Sequence, residues 1–382
     1  MKNISIIIGT RPEAIKMAPV IIELNKKPNQ FKTSICFTGQ HESMFSDAFS
    51  SFGLKPDVTL NVMSPNQSLA QLTNKIINST DKYYSDFDPN IVLVHGDTNT
   101  AMASSLAAFY RKIPIGHVEA GLRTFDKYSP FPEEFNRRVI ALNANYHYAP
   151  TIMARNNLLK EGINKKNIIL TGNTVIDSLT ITRDSILSDK NKFLSLKKRF
   201  LNLFGFDVTK EKYILITAHR RENYSGIKDI CKSIKELAIN NPKVRFIFPV
   251  HLNPKIKDIV YKGLYNFKNV SLSSPLSYKE FIFLMIYTKF ILTDSGGIQE
   301  EAPTFGKKVL VMRDKSERPE AIQAGTAKLV STNPKLIVKE SQVLLDEVID
   351  NDFLIEKNPY GDGKAAFKII NHLSTILKSN EN

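Results

Sequence analysis

The sequence predicts an α/β fold made of two Rossmann-like, doubly wound domains. Short runs rich in β-branched residues alternate with longer helical patterns along the chain, and such alternation is typical of βαβ units around a parallel sheet. The alternation begins a second time after a polar, lysine-rich stretch at residues 188–204. The chain has 382 residues, of which 42% are hydrophobic, so it exceeds the usual size of a single domain.

The predicted elements follow in chain order. The first series of strands is predicted at residues 4–8, 33–37, 91–94, 115–118 and 168–170. The second series is predicted at residues 213–217, 245–250, 290–293 and 308–311. Helical patterns fill the segments between strands, and a last helix is predicted at residues 364–377, behind the turn NPYGDG.

Charge and hydropathy limit the classes of function. The formal net charge is +14, but the basic residues are scattered apart from small clusters such as residues 197–199, so we predict no nucleic-acid partner. No run approaches the roughly 18 consecutive apolar residues of a membrane span, and the run at residues 4–8 is too short for a signal peptide. We expect a soluble, cytoplasmic protein without a membrane partner. Cys36 and Cys231 lie in apolar segments and are predicted to be buried, reduced thiols.

Polar residues follow three strands of the first predicted domain. In open α/β sheets, ligands bind beyond the carboxyl ends of the strands. Gly9 is expected to let the chain turn sharply after the first strand, Pro12 suits the first helical position, and Arg11 stays at the strand end. Asp97 and Glu119 follow two further strands, and together they indicate a site better than either does alone. The alternative also remains open that this is an ordinary turn with a solvated arginine and that both carboxylates are structural.

An acidic pair opens the helix that follows. In SPFPEEFNRR, prolines fix a loop, and Glu133 and Glu134 stand at the helix start. One of the two can be there only because negative charge is favourable at a helix N-terminus. The other is a candidate for the site.

Histidine and arginine follow the first strand of the second predicted domain. His219 in TAHRREN is a candidate acid or base, and Arg220 and Arg221 are candidates for binding an anion. His251 ends the next strand in the same way, although a structural histidine is the favoured interpretation for it.

A glycine turn in the second predicted domain is a candidate phosphate site. In TDSGGIQEE, Ser295, Gly296 and Gly297 open a helix whose free N–H groups would bind a phosphate. Glu300 and Glu301, one turn later, could bind sugar hydroxyls. The alternative also remains open that this turn starts a helix and binds no ligand. Two arginines after the next strand, Arg313 and Arg318, could complete an anion clamp, so a nucleotide diphosphate fits these features.

No metal or cofactor is predicted. The pairs His95-x-Asp97 and His117-x-Glu119 mix nitrogen and oxygen ligands, but neither has the spacing of a zinc site. GDGKAA at residues 361–366 matches the string Gly-x-Gly-x-x-Ala, yet it follows no strand and too little chain remains after it for a βαβ unit. We interpret it as a turn that starts a helix.

Eight ordered motifs closely resemble those of the bacterial non-hydrolysing UDP-N-acetylglucosamine 2-epimerases. They span nearly the whole chain and read GTRPEAIKMAP, HGDTNT, HVEAGLRT, SPFPEEFNRR, TGNTVID, TAHRREN, TDSGGIQEEAP and RPEAIQAGT. The resemblance implies a glycosyltransferase-B architecture with a ligand cleft between the two domains. It implies an N-terminal domain at residues 1–185 with the C-terminal helix at residues 363–382 packing back on it, and a UDP-binding domain at residues 186–362. It also implies a homodimer.

The resemblance implies the conversion of UDP-GlcNAc to UDP-ManNAc. The C2 proton is not next to a carbonyl group, so its direct removal is not feasible without activation. Oxidation of a neighbouring carbon by NAD would activate it, but the chain lacks a dinucleotide fingerprint. Elimination of UDP from C1 with loss of the C2 proton gives 2-acetamidoglucal, and UDP then adds back while a proton arrives on the opposite face.

Motif by motif, the resemblance places the family's site residues on this chain. The implied catalytic residues are Asp97, Glu119, Glu133 and His219. The three carboxylates are acid–base candidates near C1 and C2, and His219 is a diphosphate-facing acid or stabiliser. The implied substrate-binding residues are Arg11, Lys16, Ser295, Gly296, Gly297, Glu301 and Arg318. Arg11 would help to neutralise the leaving diphosphate.

A second, activating UDP-GlcNAc molecule binds many bacterial relatives. The residues that match this activator site are Gln40, Gln67, Arg220 and His251. This chain has Glu42 and Asn66 where relatives commonly carry a basic residue, so we predict weaker activation and hyperbolic kinetics.

Other functions remain open from the sequence. The substrate could be a related UDP-diacetamido sugar, and a hydrolysing relative would release free ManNAc. A glycosyltransferase of the same fold would need an acceptor. A regulator would bind the nucleotide sugar without turnover.

Overall fold

The computed structural model describes residues 1–39, 49–218, 226–316 and 318–379, and the chain divides into two compact units. Unit 1 comprises Met1–Ser178 and Tyr360–Asn382, and unit 2 comprises Leu179–Pro359. The described residues form one parallel sheet in each unit, of seven strands in unit 1 and six in unit 2, so the predicted fold class is confirmed. The domain limits derived from the motifs stay a prediction.

The sheet of unit 1 has the strand order β3-β2-β1-β4-β5-β6-β7. Its strands are β1 (Lys2–Ile8), β2 (Phe31–Phe37), β3 (Val58–Thr59), β4 (Ile91–His95), β5 (Ile115–Val118), β6 (Tyr146–Ala149) and β7 (Ile168–Leu170). Its helices are α1 (Arg11–Asn25), α2 (Leu69–Phe87), α3 (Asn99–Tyr110), α4 (Glu133–Asn143), α5 (Ile152–Lys160), α6 (Thr174–Leu187), which continues into unit 2, and α15 (Ala365–Ser379).

Strand β1 shows why these short runs form a central strand. Ile4, Ile6 and Ile8 pack in one core with residues of α1 and α15, whereas Ile7 packs in another core on the opposite face with residues of α2 and α3. Successive side chains of a strand point to opposite faces, so a strand buried on both faces must be apolar throughout. The Ile-rich sequence therefore specifies a central position in the sheet.

The sheet of unit 2 has the strand order β10-β9-β8-β11-β12-β13. Its strands are β8 (Tyr213–Thr217), β9 (Arg245–Pro249), β10 (Val270–Ser273), β11 (Ile291–Thr293), β12 (Val309–Val311) and β13 (Ala327–Leu329). Its helices are α7 (Lys190–Phe204), α8 (Ile227–Asn240), α9 (Pro254–Leu264), α10 (Tyr278–Tyr287), α11 (Gly296–Glu301), α12 (Pro319–Gln323), α13 (Pro334–Asp346) and α14 (Asn351–Glu356). Short 3₁₀ segments occur at Lys165–Asn167 and Ala302–Phe305.

The lysine-rich stretch before unit 2's first strand is an amphipathic helix. Helix α7 buries Phe200, whose ring stacks on Phe283 of α10 at 5.8 Å between centroids. Phe200 also stacks on Phe204. Lys198 is exposed, whereas Lys197, one turn before Phe200, is partly buried and lies 2.9 Å from Asp207.

Both sheets reverse their strand order at one position. In unit 1, β4 lies beside β1, with Ile4 opposite Ile91. In unit 2, β11 lies beside β8, with Ile291 opposite Leu215. A crevice outside the carboxyl ends of the strands forms at such a reversal, and ligands bind there in doubly wound sheets.

The sequence analysis did not predict four of the observed strands, namely β3, β6, β10 and β13. They lie at or next to the sheet edges. Their sequences mix polar and apolar residues, as in the strand VSLS of β10, because an outer strand is less enclosed than a central one. None of the helices in the described ranges is long and apolar enough to cross a membrane.

Candidate active site

Gly9 ends β1 where the backbone passes close to α3. An added Cβ at Gly9 would lie 2.2 Å from Thr100 Oγ1 and 2.8 Å from Thr100 Cβ. Gly9 does not have a positive φ, so the expected sharp turn is not the reason for this glycine. The close approach of α3 requires it, and Thr100 is held in place by a 3.0 Å hydrogen bond with Thr38.

Glu13 connects the turn after β1 with the turn after β4. Its carboxyl group accepts hydrogen bonds from Gly9 N at 3.1 Å and from Thr10 Oγ1 at 2.7 Å on one oxygen. The other oxygen accepts from Thr98 Oγ1 at 2.7 Å. Burial raises the pKa of Glu13 to about 7, although these hydrogen bonds act in the opposite direction. Glu13 therefore fixes the position of Arg11 relative to Asp97.

Arg11 begins α1 and is half-buried. Within the described part of the chain, no hydrogen bond or ion pair engages its guanidinium group. Its five N–H donors are thus available to a bound anion.

Glu119 stands at the end of β5 in a left-handed conformation, with φ of +64°. The ammonium group of Lys16 from α1 forms an ion pair with Glu119 Oε2, and Asn173 Nδ2 donates a 3.1 Å hydrogen bond to the same oxygen. His95 Nε2 lies 3.7 Å from it. Such backbone conformations are rare for residues other than glycine and occur often at functional sites.

His95 and His117 do not carry positive charge at neutral pH. Burial lowers the pKa of His95 to about 4 and that of His117 to about 3. His117 Nε2 donates to Gly96 O at 2.7 Å and so supports the turn that carries Asp97. No group of three or more metal-binding side chains occurs among the residues that the structure describes.

Asp97 follows β4 and pairs with Arg137 of α4. Arg137 Nη2 lies 2.6 Å from Asp97 Oδ2, and Arg137 Nε donates to the same oxygen at 2.9 Å. Asn136 Nδ2 donates to Asp97 O at 2.9 Å. Helix α4 therefore holds both the carboxylate and the backbone of Asp97.

Glu133 and Glu134 at the start of α4 have different surroundings. Glu134 is fully buried and accepts hydrogen bonds from Thr124 N at 3.0 Å and Phe125 N at 3.1 Å, so it supports the loop after β5. Glu133 has a buried Oε2 that accepts no hydrogen bond from any described residue. A buried carboxylate oxygen without a partner is costly in a folded chain and marks Glu133 as the member of the pair that is open to a ligand.

In unit 2, Ser295 precedes α11 at the end of β11. Ser295 N donates to Thr293 Oγ1 at 2.9 Å, and the Thr293 hydroxyl lies 2.6 Å from that of Thr217 on β8. The Ser295 hydroxyl does not cap the helix. An added Cβ at Gly297 would lie 3.5 Å from Glu301 Oε1, in ordinary van der Waals contact.

Glu300, expected with Glu301 to contact sugar hydroxyls, also has a partner within unit 2. It is buried and forms an ion pair with Arg318 Nε. Arg318 N also donates to Ser316 Oγ at 2.9 Å, and Ser316 donates to Gln299 of the same helix at 2.6 Å. These contacts hold Arg318 against α11.

The residues matched to an activator site are only partly described. Gln40 and Arg220 of this set lie outside the described residues, and so does His219 of the implied catalytic group. Gln67 Oε1 accepts from Lys75 Nζ at 3.4 Å in unit 1. In unit 2, His251 is exposed, and its Nδ1 accepts from Asn253 N at 3.1 Å.

Sequence reasoning missed the residues that hold the candidate catalytic groups. Glu13, Asn173 and Arg137 contact Thr98, Glu119 and Asp97 respectively. The motifs GTRPE, TGNTVID and SPFPEEFNRR contain these three residues, so the motifs were the available signal. Their contacts span 40 to 85 positions in the sequence, and no local pattern reveals which side chains meet.

Two parallel sheets, one in each unit and each with polar side chains beyond its strand ends, define an α/β fold of the glycosyltransferase-B-like class. A sequence profile described as UDP-N-acetylglucosamine 2-epimerase matches residues 23–374. A UDP-N-acetylglucosamine 2-epimerase of Campylobacter jejuni is 48% identical over 375 residues, covering 98% of this chain and 97% of the relative. One of Neisseria meningitidis is 49% identical over 376 residues, covering 98% of each.

Solved structures agree with this match. The crystal structure of the UDP-GlcNAc 2-epimerase from Neisseria meningitidis bound to UDP-GlcNAc superposes with a TM-score of 0.85 at 47% identity, covering 98% of this chain and 99% of that chain. The chain belongs to the UDP-N-acetylglucosamine 2-epimerase family. The resemblance inferred from the motifs and the predicted enzyme class, an isomerase of this family, are therefore confirmed.

Proposed function

We propose that this enzyme interconverts UDP-GlcNAc and UDP-ManNAc by eliminating UDP and adding it back. The observation that carries this proposal is the set of carboxylates at the carboxyl edge of the unit 1 sheet. Asp97 and Glu119 follow β4 and β5, and Glu133 opens α4, whose Arg137 holds Asp97. Elimination across C1 and C2 needs acid–base groups of this kind.

The chemistry balances without an added oxidant. A carboxylate takes the C2 proton, the electrons of the C–H bond form the C1–C2 double bond, and the C1–O bond breaks so that UDP leaves with its electron pair. In the return step UDP attacks C1, and a proton reaches C2 from the opposite face. Asp97, Glu119 and Glu133 are the proposed acid–base groups, and Lys16 and Asn173 hold Glu119 in one orientation.

Binding of UDP is the proposed role of unit 2. The N–H groups of Gly296 and Gly297 and the Ser295 hydroxyl would contact the diphosphate, with Glu301 and Arg318 beside them. Arg11 of unit 1, whose guanidinium is not engaged within the described residues, would stabilise the charge that develops on the leaving diphosphate. His219 is proposed to face the diphosphate as an acid or stabiliser.

Proton NMR of the purified protein with UDP-GlcNAc in D₂O tests the reaction. We expect UDP-ManNAc to accumulate with deuterium at C2, with neither NAD nor metal added. UDP together with free ManNAc would instead indicate a hydrolysing enzyme. Unlabelled, unchanged substrate would contradict the proposal and favour a UDP-diacetamido sugar or a binding protein, which the same experiment with that sugar would separate.

Single substitutions then test the three carboxylates. Asp97→Asn, Glu119→Gln and Glu133→Gln should each lower kcat by about 10²-fold or more, the scale of general acid–base catalysis. Asp81→Asn, which changes an exposed carboxylate paired with Arg111, is the matched control and should leave kcat unchanged. A variant that retains wild-type kcat removes that residue from the proposed catalytic group.

Activation by a second substrate molecule is proposed to be weak. Glu42 and Asn66 replace basic residues that relatives commonly carry near Gln40 and Gln67. Initial rates should rise hyperbolically with UDP-GlcNAc concentration, and a strongly sigmoidal curve would contradict this.

A homodimer in the cytoplasm is proposed from the family resemblance. Light scattering on the purified chain should give about twice the monomer mass of 43.2 kDa. A monomeric mass at the concentration of the activity assay would contradict the dimer.

A further inference from the structure

Three lysines precede three adjacent strands of unit 2. Lys212 comes directly before β8, and Lys289 and Lys307 come two residues before β11 and β12. These strands are neighbours and parallel, so the three lysines lie at the amino edge of the sheet. Ser295 lies at the carboxyl edge of the same sheet, after β11. The lysines are therefore at the end of the sheet opposite the proposed UDP contacts.

A cavity of about 290 Å³ opens at this amino edge. Its lining includes Thr209, Lys212, Tyr287, Lys289, Lys307 and Asn351. The lining thus combines ammonium groups with hydroxyl and amide groups, and its volume is that of a small metabolite rather than of a single water molecule.

Lys307 is the main observation at this cavity. Its residue is only 8% exposed, and within the described part of the chain no hydrogen bond or ion pair engages its ammonium group. Burial, with a smaller effect of Lys289, lowers its pKa to about 8. The group is thus still charged at neutral pH in a site where an unpaired charge is costly.

The other two lysines are only partly engaged. Lys212 Nζ donates to Leu345 O at 2.6 Å, and Lys289 Nζ donates to Glu347 O at 2.7 Å. An ammonium group has three donors, so each retains donors for a ligand.

Carboxylates near the cavity do not neutralise these charges. Glu211, the acidic residue among the described lining residues, accepts from Arg245 Nε at 2.9 Å. The Glu347 side chain is bound by Lys308 at 2.9 and 3.0 Å. The cavity therefore keeps an excess of positive charge.

We propose that this cavity is a second anion site, which binds inorganic phosphate or the phosphate group of a small metabolite. Several ammonium groups around one space favour a multiply charged oxyanion over a single carboxylate. A phosphate would give Lys307 the partner that the described chain lacks, and the Tyr287 and Asn351 side chains supply further hydrogen bonds.

Thermal unfolding with inorganic phosphate tests the proposal. The full-length chain is first saturated with UDP, so that phosphate cannot act through the proposed nucleotide site. Phosphate is then titrated in against chloride at equal ionic strength. We expect phosphate to raise the Tm of the wild type beyond the effect of chloride, because a ligand that binds only the folded state stabilises it.

Two variants and one control locate the effect. Lys307→Met and Lys289→Met should lose most of the phosphate response, whereas Lys262→Met, on an exposed position of α9, should keep it. Without phosphate, Lys307→Met should unfold at or above the wild-type Tm, because it removes an unpaired buried charge. This second readout separates lost binding from failed folding.

Isothermal calorimetry on the same proteins decides between sources of the anion. Binding of inorganic phosphate and of ribose 5-phosphate can be compared directly, and the tighter ligand identifies whether a free ion or a phosphorylated metabolite fits. An equal phosphate response in wild type and both variants would overturn the proposal, as would a wild type that responds to phosphate no more than to chloride.

Discussion

The carboxyl group of Glu13 is buried between two turns and accepts three hydrogen bonds. Burial raises its pKa from 4.5 to about 7. A group whose pKa is higher in the folded state binds protons more tightly there. The contribution of this protonation to the free energy of unfolding is therefore complete below pH 4.5 and is lost as the pH rises to about 7. The shift corresponds to about 3 kcal/mol.

Glu13→Gln should therefore change the pH dependence of stability. Relative to the wild type, the free energy of unfolding of the variant should increase between pH 5 and pH 8, by up to about 3 kcal/mol, because glutamine cannot ionise. Urea unfolding at several pH values measures this difference. Asp81→Asn is the control, because Arg111 lowers the pKa of the Asp81 carboxyl group. This variant should show no such trend. A constant difference between Glu13→Gln and the wild type would show that Glu13 does not titrate in this range.

At the scale of elements, α15 is attached to unit 1 from two sides. Ile369, Ile370 and Leu373 pack in the core that contains Ile4 and Ile6 of β1. Its first turn is capped by Asp177 of α6, which accepts from Ala365 N at 3.2 Å and Ala366 N at 2.9 Å. The cap satisfies helix N–H groups that would otherwise lack partners.

Asp177→Ala should weaken this attachment. The loss of the cap should lower the free energy of unfolding by about 1–2 kcal/mol, and amide hydrogen exchange in residues 365–377 should become faster. Asp184→Ala on the same helix, where the side chain is 59% exposed, is the control and should have a smaller effect. Equal effects of the two substitutions would contradict the capping role.

The strand prediction worked where a strand is buried on both faces and failed at the edges. The Ile-rich run of β1 is apolar throughout because both faces are covered. The strand YHYA of β6 carries a histidine and two tyrosines, and polar atoms on such residues make the local pattern ambiguous. Helix α7 was read as a polar stretch because the aromatic face that it buries is narrow.

At the scale of the whole molecule, the two units differ in their chain connectivity. Unit 2 is one continuous segment with its own hydrophobic core, which includes Ile214, Phe246 and Leu292. Unit 1 needs two separate segments, because α15 completes its core.

The two units should therefore differ when produced alone. A fragment of residues 179–359 should fold cooperatively, since its core lies within it. A fragment of residues 1–178 should expose the apolar surface that α15 covers and should aggregate or lack a sharp thermal transition. Circular dichroism with thermal melting distinguishes the two outcomes. A cooperative transition in the fragment 1–178 would show that α15 is dispensable for the core.

The sequence by itself determined the α/β class, the family and the strand-end motifs, because apolar runs and motifs are local patterns. It also placed Asp97, Glu119 and Ser295 beyond the ends of their strands. Only the tertiary structure decided why Gly9 must lack a side chain, that Glu300 holds Arg318, and that Lys307 is buried beside a cavity. These properties depend on residues that are distant in the chain and close in space, so burial, charge and free volume at each position follow from packing and not from local sequence.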